Sequence, residues 1–204
     1  FPADKTTRVP ILSVTGTNGK TTTTRLLAHI FKQTNKVIGY TTTDGTYIGE
    51  YLVEAGDNTG PQSAQLILQD PTVEVAVLET ARGGILRSGL AFEAANVGVV
   101  LNVAADHLGL GDIDTIDQLS HLKSVVAESV YPDGYTVLNA DDSRVAAMAE
   151  RTKANIAYFT MNPESELVRK HIEKGGVAAI YENGFLSILK GDWTHRIEKV
   201  DNIP

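Results

Sequence analysis

Cysteine is absent from the 204 residues, which excludes disulfides, thiol nucleophiles and cysteine-based zinc sites and leaves the redox compartment open. Long apolar runs are missing as well. None approaches the ~20 residues that a bilayer-spanning helix needs, so no membrane association is expected. Basic residues are outnumbered, 18 against 25 acidic ones, for a net charge of −7. No long Lys/Arg cluster occurs, so the electrostatic footprint of a general nucleic-acid binder is lacking and nucleic acid is not an expected partner. Hydrophobic residues at 42% against 21% charged exclude a disordered chain. What remains is a length that suits one α/β domain, or one with a small appendage. Phe1-Pro-Ala-Asp-Lys5 is no signal peptide and the chain stops at Ile203-Pro204 without a capped ending, so residues 1–204 are expected to be a fragment of a longer chain.

Apolar runs alternate with segments of helical period from beginning to end. That alternation predicts an α/β fold, a mostly parallel sheet sandwiched by helices. Strands are expected at Val9–Thr15, Val37–Thr42, Val73–Leu78, Val97–Val103, Tyr135–Leu138 and Asn155–Phe159. The runs at 73–78 and 97–103 are apolar on both faces, as central strands are. Helices are expected over Thr21–Thr34, with Leu26, Leu27, Ile30 and Phe31 on one face, and over Pro61–Leu68, Thr115–Val130, Asp142–Arg151 and Pro163–Lys174. Between Thr42 and Gly60 the chain reads as a glycine-rich excursion. Asn183-Gly184 between Val177–Tyr181 and Phe185–Leu189 signals a hairpin, so a small antiparallel edge closes the C-terminal side.

A strand, then Gly16-Thr17-Asn18-Gly19-Lys20-Thr21-Thr22, then a helix is the context in which a glycine-rich turn cradles phosphates. Backbone amides at the turn and helix start face the anion, Lys20 adds a point charge, and the Thr21 hydroxyl can ligate Mg²⁺. The general phosphate-loop pattern has a glycine where this chain has Val14, so the match is to a tighter Gly-Thr-Asn-Gly-Lys-Thr variant. Four threonines, Thr21–Thr24, open a helix at a cost of ~2 kcal/mol against alanine. Such a local conflict is expected at a functional site.

Ligands of parallel sheets collect beyond the carboxyl ends of the strands. There the sequence places Glu79, Arg82 and Arg87 after one strand, Asp106 and His107 after another that contains Asn102 near its end, and Asn139-Ala-Asp-Asp142 after a third. Glu79 and His107 suit a shared Mg²⁺. Glu79 could equally be a salt-bridged or capping acid, His107 a hydrogen-bonded structural histidine, and Asp106 a turn or cap. Arg82 and Arg87 could clamp a carboxylate or phosphate, or merely solvate the surface. Lys123, on a helix, means nothing by itself. Asn139 and Asp142 fit a turn and helix cap, or contacts to adenine and ribose.

Taken together, Gly16-Thr-Asn-Gly-Lys-Thr21, Thr41-Thr-Thr-Asp-Gly45, Asn58-Thr-Gly-Pro61, Glu79, Asn102 with Asp106-His107-Leu108, Lys123 and Asn139-Ala-Asp-Asp142 resemble the ATP-binding central domain of the Mur ligase family over most of the chain. The resemblance implies an ATP- and Mg²⁺-dependent ligase that forms an amide through an acyl phosphate. It maps Gly16–Thr22 to ATP, Lys20 and Thr21 to the β/γ-phosphates and a first Mg²⁺, and Glu79 and His107 to a second. It further maps Lys123 to a lysine carbamylated in many members, and Asn139, with Asp142 beside it, to the nucleotide. Thr43, Asn58, Thr59, Arg82 and Arg87 would face the acidic acceptor. Thr80-Ala-Arg-Gly-Gly84 stands where the peptidoglycan-building members tend to have Ser-Ser-His, which argues against a peptidoglycan precursor. The wording of the other segments is similar to members that add arginine to the β-carboxylates of poly-aspartate. Also implied are a cytoplasmic location, a homo-oligomer formed through the full-length protein, and a missing C-terminal domain without which the fragment would bind nucleotide weakly. A phosphotransferase or regulatory NTPase of another phosphate-loop class, supported by Gly16–Thr21 alone, is the alternative, and a non-catalytic nucleotide-binding scaffold the third reading.

Overall fold

The computed structural model describes residues 8–105, 109 and 113–203. Among these residues eleven strands form one sheet, beginning with β1 (Ile11–Thr15), β2 (Ile38–Thr42), the hairpin β3 (Gly45–Ile48) and β4 (Tyr51–Ala55), β5 (Val75–Glu79) and β6 (Ala95–Val100). They continue with β7 (Val130–Asn139), β8 (Asn155–Thr160), β9 (Val177–Glu182), β10 (Phe185–Lys190) and β11 (Trp193–Lys199). The spatial order is β11-β10-β9-β8-β7-β6-β1-β5-β2-β3-β4. From β2 to β9 neighbours run parallel, while β3 and β4 at one edge and β10 and β11 at the other are antiparallel. Every residue of β5 is buried, as its two-sided apolar run requires, and so is every residue of β1, while β6, the other such run, keeps Asn96 and Val97 half-buried.

The chain leaves β1 toward β5 and β2 on one side and later adds β6 and β7 on the other, so the strand order reverses at β1. A crevice opens beyond the carboxyl ends at such a point. Helices α1 (Lys20–Lys32), α2 (Pro61–Gln69), α3 (Arg82–Ser88), α4 (Ile116–Glu128), α5 (Ser143–Ala146) and α6 (Glu166–Glu173) connect the strands. No helix among the described residues is long and apolar enough to cross a membrane. Pro61 occupies the first turn of α2, where its missing N–H costs nothing. Thr115 and Gln118 cap α4 reciprocally.

Several expectations need correction. The inward stripe of α1 is Thr24, Leu27, Ala28 and Phe31, whereas Leu26 and Ile30 are exposed. A stripe at 24, 27/28 and 31 keeps helical spacing, and Thr24 belongs to it although polar. β6 stops at Val100 rather than Val103, because residues 101–104 turn to bond the phosphate loop. The helix expected at Asp142–Arg151 divides into α5 and a 3₁₀ turn at Ala147–Glu150 that still buries Val145 and Met148. The excursion after Thr42 contains the β3–β4 hairpin.

At Gly98 on β6 an added Cβ would sit 2.7 Å from both the Val126 carbonyl of α4 and a Val130 methyl. One contact is backbone and cannot rotate away. Gly98→Ala is therefore expected to destabilise the domain by about 1–3 kcal/mol, read as a lowered Tm with an unchanged circular-dichroism spectrum.

Candidate active site

β1 delivers Thr15 to the loop, and Gly19 closes the loop in the left-handed region at φ 85° as α1 begins. Among the described residues no side chain caps the start of α1, which keeps its first amides for an anion. At Gly16 a Cβ would lie 2.9 Å from the Leu101 Cβ, so only glycine lets the loop pass this close to the segment after β6. Lys20 folds back, its Nζ donating to the Thr17 carbonyl at 3.0 Å.

Glu79 ends β5 in register with Val14. Thr21 donates its hydroxyl proton to Glu79 Oε2 at 2.9 Å, and the Thr43 hydroxyl lies 3.1 Å from that of Thr21. Glu79 is 2% exposed, and its Oε1 has no hydrogen-bond partner among the described residues. Burial raises its pKa, opposed by the Thr21 hydrogen bond, the Lys20 charge and the Thr43 amide and reinforced by the Asp57 carboxylate. A buried carboxylate oxygen without a partner, beside two threonine hydroxyls, is a donor set that fits Mg²⁺, a hard cation that keeps waters and phosphate oxygens as its other ligands. Among the described residues no group of three His, Cys, Asp or Glu side chains could hold a metal. Asp106 and His107, the latter the second candidate ligand, lie outside the described residues.

A cleft of about 320 Å³ beside Lys20 is lined by Thr17, Thr43, Asp57, Thr59, Arg82 and Lys123, among others. Gly84 lets α3, which carries Arg82, lie against the loop before α2, where a Cβ would meet Gly60 Cα at 3.0 Å. Ala81 donates its amide to the Thr59 carbonyl, and Asp57 accepts the Thr59 hydroxyl at 2.7 Å. Lys123 is buried at 3% exposure, with Nζ donating to the Gly16 carbonyl at 2.8 Å, which a lone helical lysine in the sequence did not suggest.

Four candidates sit elsewhere or are already engaged. Asn58 is buried and spends its side chain on the Glu54 carbonyl and the Ser63 hydroxyl. Arg87 is exposed, and its guanidinium lies 3.4 Å from where a Gly83 Cβ would be. Asn139 donates to the Leu101 carbonyl and accepts the Asp141 amide. Asp142 caps α5 with Oδ1 and accepts the Val103 amide on Oδ2 at 2.7 Å. Two residues gain roles that the sequence had not given them. Asp57 reaches the cleft, and Asn102 grips the amides of Thr17 and Asn18. The signal for Asn102 was a single amide ending an apolar run.

The sequence profile of the Mur ligase middle domain matches residues 14–186, most of the chain. The chain belongs to the Mur ligase middle-domain family. As a Mur ligase middle domain it is 85% identical over all 204 residues to the cyanophycin synthetase of Trichormus variabilis, and 67% identical to that of Synechocystis sp.. It spans 23% of the length of each of those relatives. A UDP-N-acetylmuramoylalanine–D-glutamate ligase of Geobacter sp. is 31% identical over 180 residues, 88% of this chain and 33% of that protein. Among solved structures, a UDP-N-acetylmuramoyl-L-alanyl-D-glutamate–2,6-diaminopimelate ligase superposes with a TM-score of 0.66 at 20% identity, covering 93% of this chain and 39% of the other. A bifunctional folylpolyglutamate synthase/dihydrofolate synthase solved with Mn, AMPPNP and L-glutamate gives 0.61 at 20% identity, over 94% and 49%. These two likenesses support the fold.

Proposed function

We propose that this domain is the ATP-binding part of an amide ligase that activates a carboxylate as an acyl phosphate and passes it to an amine. The buried Oε1 of Glu79, without a hydrogen-bond partner among the described residues, beside Thr21 and the Lys20 loop, carries this reading. In it, Gly16–Thr22 hold the phosphate chain, with the α1 amides and Lys20 meeting negative charge. Thr21 and Glu79, with His107, would hold Mg²⁺, which supplies charge neutralisation as a carboxylate approaches an anionic phosphate. Lys20 stabilises charge on the transferred phosphoryl group, and closure of the cleft by the rest of the protein excludes water from the acyl phosphate. Arg82, Thr59 and Thr43 face the acceptor, while Asn58 and Arg87 support that wall from behind and beside it. Lys123 holds the loop through Gly16 and is the residue for carbamylation, which bicarbonate-dependent activity would report. Asn139 keeps one amide proton and one lone pair for the nucleotide side.

The 85% identity to a cyanophycin synthetase supports the acceptor and amine: poly-aspartate β-carboxylates and arginine, in a cytoplasmic homo-oligomer whose other domains belong to the same chain. The test is ADP release by the complete protein. It is expected with an aspartyl polymer and arginine together. Release that ignores both would instead assign a phosphotransferase or regulatory NTPase.

A further inference from the structure

Asn102 grips the phosphate loop from the β6 side. Its Oδ1 accepts the amides of Thr17 at 3.0 Å and Asn18 at 2.8 Å, and its Nδ2 donates to the Asn18 carbonyl at 3.1 Å. That grip fixes the loop only as well as residues 101–104 are themselves fixed, and the ladder with β7 ends at Val100. Beyond it, Asn139 ties the Leu101 carbonyl and Asp142 Oδ2 accepts the amide of buried Val103 at 2.7 Å. Asp142 Oδ1 is occupied separately by the Arg144 and Val145 amides at the start of α5. Both carboxylate oxygens are thus committed to backbone donors, the shorter bond going to the segment that carries Asn102.

We infer that Asp142 is a positioning residue for the phosphate loop, acting through Val103 and Asn102 on the amides of Thr17 and Asn18 rather than by touching the nucleotide. The inference rests on the reading that this loop binds phosphates. An anionic acceptor makes a stronger bond to an amide than a neutral one does. Holding the Asn102 segment before nucleotide arrives removes an ordering cost from binding.

The two tasks of Asp142 can be separated, because serine caps a helix well but is too short to reach Val103. In the complete protein, Asp142→Ser is expected to weaken ADP binding about 5–30-fold, with Tm lowered only by the loss of the one bond to the amide of buried Val103. The preference for ADP over GDP should stay unchanged. The double variant with Asn102→Ala should lose less than the sum of the two single losses, since the Asn102 side chain carries part of the linkage while the Asn102 carbonyl and the Ala104 amide still bond Thr17. Additive losses, a changed ADP-to-GDP preference, or unchanged ADP affinity with a lowered Tm would each overturn the inference. ADP binding needs neither acceptor nor amine. A protein that binds ADP in this pattern but ligates nothing would overturn the proposed function and leave the role of Asp142 standing.

Discussion

Lys20→Ala in the complete protein is expected to lower kcat for ligation by about 10²–10³, the effect of losing one preorganised charge-stabilising group. Lys20 opens α1 and its ammonium rests on the Thr17 carbonyl, 3.0 Å away, at the edge of the cleft. That bond stores the side chain beside the loop. It does not anchor the fold, because the loop is held independently by Asn102 and by Lys123 on Gly16. Stability should therefore change little while turnover collapses. A lysine at the other end of the same helix supplies the control. Lys32 pairs with exposed Glu50 at 2.8 Å, a surface ion pair worth about 0–1 kcal/mol, and Lys32→Ala should ligate at the parent rate. If Lys20→Ala does so too, the ligase reading fails.

Wherever burial or turn chemistry wrote itself into a short stretch, the fold was legible. The two-sided apolar runs gave β5 and β6, and Asn183-Gly184 gave the β9–β10 hairpin, both residues adopting positive φ. The β3–β4 hairpin escaped because all of β4 is exposed, leaving no alternation to read, and β11 escaped for the same reason. Helix α3 was hidden by Gly83-Gly84, residues of poor helix propensity. The second of them is explained by its close approach to Gly60, a contact between segments far apart in sequence.

The site was legible as a set of residue types but not as a division of labour. Glu79 and Lys20 announced themselves by their position after a strand and in a glycine turn. Asn58 and Asp142 carried the same kind of signal, yet their polar atoms are committed to neighbouring backbone and side-chain groups. A side chain that binds a ligand and one that holds the loop beside it can share a motif. They differ in which of their atoms are already satisfied, and that is set by packing between distant segments.

Glu79→Gln tests this distinction most sharply, since it keeps the shape and removes the charge. The carboxyl is almost fully buried with one oxygen unpartnered among the described residues, and burial raises its pKa above the ordinary 4.5. The folded state therefore holds that proton more tightly than the unfolded chain. The contribution of Glu79 to stability is complete below pH 4.5 and is lost as pH rises through its folded value. In chelator, Tm of the parent should fall across that window, and Mg²⁺ should restore it above the window by giving the ionised oxygen a partner. Glu79→Gln should flatten the pH dependence, abolish the gain from Mg²⁺, and lower kcat by about 10²–10³. A structural carboxylate would behave oppositely, losing stability on substitution and leaving the Mg²⁺ response intact. The two outcomes separate a metal-binding group from a buried brace at the same residue.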